Sequence, residues 1–405
     1  MKIAILNQPL GNRGDEAAHK AFVNTLSQHF PGSIIDVIFI NQKEYLIEPF
    51  RVLQSNVNYL NISGFRGISL AEKVGIFLNC LTISLFHPVL FNFYKQIKDY
   101  DYIICAPGGI CMGGFMDWNH IWQLLISKKL KKKILYWGRS IGPFDNDNWK
   151  KRLFKKRSEE LLRYFSFLGL RDSKSVKIAK SLKINCTEMI DSAFLNVPNI
   201  DLPFQIVEMI KDSKYIVFVP NELIWHYRYK NIDKNMVDDF YLKIIGYLQE
   251  YYQEYKIIML PQTYKSEIND YSYFKTLEKK SSYKNIIVID ENQNSDIQQK
   301  IIAGAIFVIG ARYHSIVFAI NNNIPFISLS YEHKMIGLLE KLQLLDNLID
   351  IQNIFDEGRN TLYLNTLKTI ENKIRDNDFH ITAAIPTKPI INNAFNELIS
   401  ILNSR

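Results

Sequence analysis

The chain has 405 residues, 47% of them hydrophobic and 22% charged, an ordinary globular balance that excludes disorder. That length exceeds one compact core of common size and predicts two domains. The formal net charge of +8 favours an anionic substrate or membrane surface. The lysines are scattered, and the one dense run, KKLKKKILYWGRS, leads straight into a strand, so nucleic acid is not expected as a partner.

The amino terminus MKIAIL reads as a first strand and not as a secretory leader, because its apolar run ends within a few residues. Gly11-Asn12-Arg13-Gly14-Asp15-Glu16-Ala17 follows as a glycine-bounded strand-to-helix turn. It lacks both the Gly-x-Gly-x-x-Gly spacing and a Walker Gly-Lys-Ser/Thr. Asp15 and Glu16 suit the helix dipole and would repel a pyrophosphate, which leaves Arg13 without a role. Further strands are predicted over SIIDVIFI, DYIICAP, KKILYWG, FSFLGLR and CTEMI, with helices between them that include Asp15–His29 and Trp149–Tyr164. From Val74 to Tyr94 the chain carries no formal charge, but Asn79, Thr82, Ser84, His87-Pro88 and Asn92 interrupt it. It reads as a buried helix pair or an interfacial hairpin, not as a membrane span.

The alternation restarts within DSAFLNVPNIDLPF, where Pro198 and Pro203 bracket a polar turn. The predicted domains are 1–196 and 205–375, with a linker over 197–204 and a carboxyl-terminal tail and helix over 376–405. The second set of strands is KYIVFVP, YKIIMLP, NIIVID, AIFVIG and IPFISLS. Between the first two, Val237, Phe240, Tyr241, Ile244, Ile245, Leu248 and Tyr252 recur at the spacing of a helix with one buried face. Two α/β halves built of parallel βαβ units imply a cleft between two sheet edges. Cys80, Cys105, Cys111 and Cys186 form no Cys-x-x-Cys pair, so a reduced, cytosolic protein without a structural metal is expected.

The residues that follow each strand should line that cleft. Gly108, Gly109, Gly113 and Gly114 let backbone approach a ligand, with Asp117 and His120 at the next helix start. Later turns add Arg139, between Gly138 and Gly142, and Arg171, beside a helix cap at Asp172 or Ser173. Trp225, His226, Tyr227 and Arg228 form an aromatic-polar stretch suited to stacking on a sugar ring. Gln262 and Tyr264, Arg312 and His314, and Tyr331 to Lys334 complete the set. Cations recurring at several sheet edges point to a small anion of charge two or three.

These blocks also carry a family likeness. The ordered set GNRGDEA, PGG with a later GG and Asp, GRSIGP, RDSKS, DSAFL, LPQ and IGARYHSIVFAINNNIPFISLSYEHKMIG resembles the polysaccharide pyruvyl transferase family from about Gly11 to Gly337. Two departures are Ile110 in the glycine run and GRS where glycine-glutamine-glycine is frequent. The resemblance implies two Rossmann-like domains facing across a cleft, similar to the two-domain glycosyltransferases. It implies transfer of the pyruvyl group of phosphoenolpyruvate to two hydroxyls of one sugar in a surface or capsular polysaccharide precursor, forming a cyclic ketal and releasing phosphate.

On that basis Arg312, Arg171 and Arg139 are expected to bind the donor, with Gly108, Gly109 and Lys334. His314 is the expected acid or base, because imidazole titrates near neutral pH. His120 and Asp117 are secondary candidates. Trp225, His226, Tyr227, Arg228 and Asp15 are expected on the acceptor, a glycan that is free or lipid-linked. No metal or cofactor is required, and a cytoplasmic place with peripheral contact at the inner membrane face is expected. The competing readings are a nucleotide-sugar glycosyltransferase, using Glu332 on the ribose, and a catalytically silent sugar- or anion-binding protein.

Overall fold

The computed structural model describes residues 1–63, 88–195, 197–211, 213–265, 268–379 and 385–404. Residues 74–87 of the charge-free run lie outside them. Its remainder enters a helix, Pro88–Ile97, whose Phe93 and Ile97 are buried in the first core, with Phe93 edge-on to Trp122. By contacts the chain divides into two units. The first takes Met1–Leu10, Ala18–Leu195 and Thr387–Arg405; the second takes Gly11–Ala17 and Asn196–Pro386.

The first unit holds β1 (Lys2–Leu6), β2 (Ile34–Ile40), β3 (Val57–Ile62), β4 (Tyr102–Cys105), β5 (Gly108–Met112), β6 (Lys133–Ile141), β7 (Phe167–Leu170) and β8 (Thr187–Glu188). They form one sheet in the order β3-β2-β1-β4-β6-β7-β8, with β5 also on β6, and every pairing is parallel. Helices connect parallel neighbours and cover both faces, which is why Ile3 to Leu6 and Tyr102 to Cys105 are unbroken buried runs and not alternating ones. Two strands lie where none is predicted. β3 is a half-exposed edge strand containing Asn58 and Asn61, and β5 begins with Gly108 and Gly109, residue types depleted in strands. Pairing to β2 and β6 overrides those local preferences.

The carboxyl-terminal helix Thr387–Asn403 belongs to this first unit. Its buried stripe Ile391, Ala394, Phe395, Leu398 and Leu402 has helical spacing. Phe395 packs edge-on to Trp137 at 5.7 Å, and Trp137 in turn stacks on Phe22 and donates its indole N–H to Ser192 Oγ at 2.8 Å. Burying Phe395 alone stabilises by about 1.5–3 kcal/mol.

The second unit holds β9 (Tyr215–Val219), β10 (Lys256–Met259), a small antiparallel ribbon of β11 (Tyr264–Lys265) and β12 (Ile268–Asn269), then β13 (Ile286–Val288), β14 (Val308–Gly310), β15 (Phe326–Ser330) and β16 (Leu348–Asp350). Its parallel sheet runs β13-β10-β9-β14-β15-β16, the doubly wound dinucleotide-fold order. The direction of winding reverses between β9 and β14, and in the first sheet between β1 and β4. Such switch points open a crevice at the carboxyl ends of the strands, where ligands of open α/β sheets bind.

One buried histidine in the first unit sets a pH limit. His19 is fully buried, with Nδ1 2.8 Å from Gln8 Oε1 and Nε2 3.1 Å from the Tyr59 hydroxyl. Burial, assisted by Lys20, lowers its pKa from 6.5 to about 3. The unfolded chain therefore binds a proton at this residue below pH 6.5 that the folded chain refuses until about pH 3, so stability falls as pH drops through that window. The loss from His19 is on the order of 3 kcal/mol between pH 7 and pH 4.5. Urea midpoints at the two pH values measure it, and His19→Gln should flatten the slope by that amount; an unchanged slope places its origin elsewhere.

Candidate functional site

In the second unit, the turn after β1 is fixed by main-chain pairing to the segment that follows β10. Arg13 N donates to Gln262 O at 2.8 Å, Tyr264 N donates to Gly11 O at 3.1 Å, and Asn12 bridges to Thr263 in antiparallel sense. Arg13 is buried and largely committed, with only its Nε lacking a hydrogen-bond partner among the described residues. It donates to Glu16 at 2.8 Å and to Glu291 O at 2.6 Å, and its guanidinium lies 4.0 Å from the Tyr264 ring centroid. Glu16 also accepts from Ser295 N and Oγ, at 3.1 and 3.0 Å. Asp15, expected on the acceptor, is half-buried at the helix start, where its N–H donates to Asn12 Oδ1 at 3.2 Å.

The pairing sets Gly14 directly against His314. A Cβ built on Gly14 would stand 1.8 Å from both Cγ and Nδ1 of the imidazole. No side chain larger than hydrogen fits there with His314 in place. His314 itself comes from the turn after β14. There Arg312, in extended backbone, caps the helix Tyr313–Asn321. Ser315 closes the turn by donating its N–H and hydroxyl to Arg312 O at 3.1 and 2.6 Å. Tyr313 between the two is buried, and Lys334 Nζ lies 5.7 Å from its ring centroid.

Arg312 lies at the switch point of the second sheet. Its guanidinium is 5.4 Å from the ring centroid of Trp225, which follows β9. Trp225 is held in turn by its indole N–H donating to Asn221 Oδ1 at 2.8 Å. Arg312 Nη2 donates to the buried carboxylate of Asp270, while its Nε is buried and has no hydrogen-bond partner among the described residues. The structure thus brings Trp225 onto the arginine expected to bind the donor. The other members of that aromatic-polar stretch diverge. His226 is buried with Nε2 3.8 Å from Glu332, Tyr227 is exposed, and Arg228 donates to Gln352 and Asn353.

Glu332 pairs with Lys334 at 2.6 Å. Burial opposes its ionisation, but Lys334 and His226 outweigh burial and hold the carboxyl well below the usual carboxylate range. The charge of Lys334 is therefore offset by Glu332.

In the first unit Arg139 reaches the switch point, on the segments that follow β1 and β4. Arg139 is fully buried and spends its donors on the fold: Nε to Ala106 O at 2.6 Å, Nη1 to Cys111 Sγ at 2.8 Å, and Nη2 to Asn7 O. It thereby holds the Gly108–Met112 strand, to which it is also paired. Burial pushes the Cys111 thiol up to about 12 even though Arg139 opposes the shift, so Cys111 is a neutral acceptor. Gly109 has open space where a Cβ would stand, whereas Gly108 is pressed on Pro9.

Arg171 donates to Asp191 and, at 3.2 Å, to Ser140 Oγ, a pair of side chains each 1% exposed. Asp117 caps the helix Trp118–Lys129 by accepting from His120 N at 3.1 Å. His120 lies in the core, its ring edge-on to Tyr136 and Nε2 3.9 Å from Cys105 Sγ. Burial, then Arg139, lowers its pKa well below 6.5, so it is neutral. The structure thus gives Asp117 a capping role and sets His120 among core side chains. Sequence reasoning passed over Asn221 and Asp270; an acid at a helix start reads as a dipole partner and carries no other signal.

The chain matches the family described as Polysaccharide pyruvyl transferase over residues 12–333. It belongs to the polysaccharide pyruvyl transferase family. That span contains every arginine, histidine and aromatic residue of the candidate site. Among relatives, the transferase is 25% identical over 399 residues to the amylovoran biosynthesis protein AmsJ of Erwinia amylovora, covering 88% of this chain and 89% of that one.

Solved structures show the fold. UDP-GlcNAc 2-epimerase from Neisseria meningitidis aligns with a TM-score of 0.60 at 11% identity, over all of both chains. S. aureus MnaA, in its complex with UDP, aligns at 0.61 and 14% identity, over 99% of this chain and 96% of that one. These are two-domain folds with Rossmann-like domains, as are the two units of this transferase.

The Gly14 contact yields a test that separates position from stability. Alanine is a better helix former than glycine, so Gly14→Ala costs nothing in backbone propensity. It must, however, displace the imidazole. Turnover is expected to fall roughly 10²-fold with a melting temperature within a few degrees of the parent. Gly32→Ala, where a Cβ meets nothing within 4 Å, should leave both unchanged. Normal turnover in the Gly14 variant would remove His314 from the chemistry.

Proposed function

We propose that this transferase moves the pyruvyl group of phosphoenolpyruvate onto two hydroxyls of one sugar in an exopolysaccharide precursor, leaving a cyclic ketal and inorganic phosphate. The observation that carries the reading, beside family membership, is Arg312 at the switch point, with His314 two residues along the same turn. In this reading Arg312 holds the donor's anionic end against Trp225. His314 delivers a proton to the methylene carbon, which becomes a methyl group and leaves the central carbon cationic. Two C–O bonds then form from the sugar hydroxyls, and the bond from that carbon to the phosphate oxygen breaks. Of the two hydroxyl protons released, one replaces the proton given to the methylene carbon and the other leaves with phosphate.

Lys334 supplies positive charge for the departing phosphate, tempered by Glu332. The role of the related amylovoran protein supports an exopolysaccharide as the end product. Among the described residues no helix is long and apolar enough to cross a membrane. We place the enzyme in the cytoplasm, reaching a free or lipid-borne glycan at the inner membrane face.

The experiment is incubation with phosphoenolpyruvate and candidate lipid-linked or nucleotide-linked sugars, read by phosphate release and product mass. Arg312→Ala should weaken donor binding in calorimetry by about 2–5 kcal/mol, the size expected when one member of a buried charge pair is lost. His314→Ala should lower turnover by roughly 10²–10⁴-fold with little change in donor affinity. Near-normal turnover in the His314 variant sinks its assignment. Consumption of a nucleotide sugar without phosphoenolpyruvate sinks the pyruvyl-transfer reading and favours a glycosyltransferase.

A further inference from the structure

We propose that Asp270 is the positioning residue of the donor site: its carboxylate both aims the Arg312 guanidinium and locks the segment that carries the Gly14 turn. The proposal rests on the reading that Arg312 binds the donor's anionic end.

Asp270 is the first residue of the helix Asp270–Ser281 and is 2% exposed. One carboxylate oxygen, Oδ1, accepts from Arg312 Nη2. The other, Oδ2, accepts from the backbone N–H groups of Gln262 and Thr263, at 3.0 and 2.9 Å. Asp270 N donates back to Thr263 O at 3.0 Å, closing the loop on itself. Gln262 to Tyr264 is the stretch to which Gly11 to Arg13 is paired, so the same carboxylate lies one step from the backbone under His314.

A buried carboxylate needs several compensating partners, and Asp270 has a cation, two backbone donors and a helix start. The division of labour between its two oxygens is what makes it a positioning group. An arginine side chain has several rotatable bonds and, without a fixed acceptor, would sample many orientations over the Trp225 ring. With Nη2 tied to Asp270, the guanidinium plane is set while Nε has no partner among the described residues. Asp270 neutralises part of the arginine's charge as well, so it tunes how strongly a dianionic donor is held.

Asp270→Asn separates the two duties. The amide oxygen can still accept from Gln262 N and Thr263 N, but the NH₂ group then faces Arg312, donor against donor. Trp225 gives a readout that needs no substrate, because it is the only tryptophan among residues 196–386, and the difference between wild-type and Trp225→Phe emission reports the arginine over its ring.

The expected result for Asp270→Asn is a lowered melting temperature with cooperative unfolding retained, and a shifted Trp225 emission at assay temperature in the absence of substrate. The KM for phosphoenolpyruvate should rise roughly 10–100-fold, with kcat and the acceptor KM changed by less than about 3-fold. Added to Arg312→Ala, the substitution should cost nothing further, since it acts through that arginine. Asp270→Glu retains the charge and should recover part of the donor KM; if the Asn variant does not fold, the Glu variant carries the same double-mutant comparison. Unchanged Trp225 emission with an unchanged donor KM would overturn the proposal, as would full additivity with Arg312→Ala. If the wild-type enzyme does not turn over phosphoenolpyruvate, the donor reading fails by itself, and the emission shift alone decides whether Asp270 sets Arg312.

Discussion

The main-chain pairing of residues 11–13 with residues 262–264 is the constraint on which the candidate site depends. It takes seven residues that lie in the chain between segments of the first unit and makes them part of the second. Everything specific about that turn follows. Arg13 is consumed by Glu16, Glu291 and Tyr264, Glu16 is consumed by Ser295, and Gly14 is left as bare backbone against an imidazole. A backbone ladder suits this duty because it fixes position without adding a side chain where a ligand must approach.

Charge is handled differently in the two units. Arg139 is satisfied by carbonyl oxygens and a thiol sulfur, and Arg171 by a buried carboxylate and a hydroxyl. Breaking a buried Arg–Asp pair by removing one partner costs about 3–5 kcal/mol, so Arg171 is committed to the fold. Arg312 has a similar carboxylate partner but also lies over the face of Trp225, and its Nε, like that of Arg13, has no hydrogen-bond partner among the described residues. A guanidinium oriented in advance loses less entropy on binding an anion than a free one would.

Much of this was legible beforehand. The buried runs IAIL, YIIC and YIVFV are strands because an apolar stretch of that length between turn residues fits a doubly covered parallel strand. The arginine and histidine after β14 were read as candidate site residues because a strand ending in glycine, followed by a helix, leads to the sheet edge where ligands of open α/β sheets bind. β3 and β5 were not legible, since asparagine and glycine argue locally against a strand and only the neighbouring strands argue for one. The helix Thr387–Asn403 showed its apolar stripe, but nothing local tells which core the stripe will meet, and Trp137 lies some 250 residues earlier.

By itself, then, the sequence determined the α/β class, the strands of both sheet centres, the restart near Pro198 and the chemical types available at the strand ends, because these depend on periodicity and on residues adjacent in the chain. Tertiary structure alone decided which of those types act together. It spent Arg139 and Arg171 on the fold, set His120 in the core, turned Trp225 onto Arg312 and recruited Asp270 from a helix start. The physical reason is that a buried charge is defined by the partners that pay for its desolvation, and for Arg312 that partner lies 42 residues away along the chain.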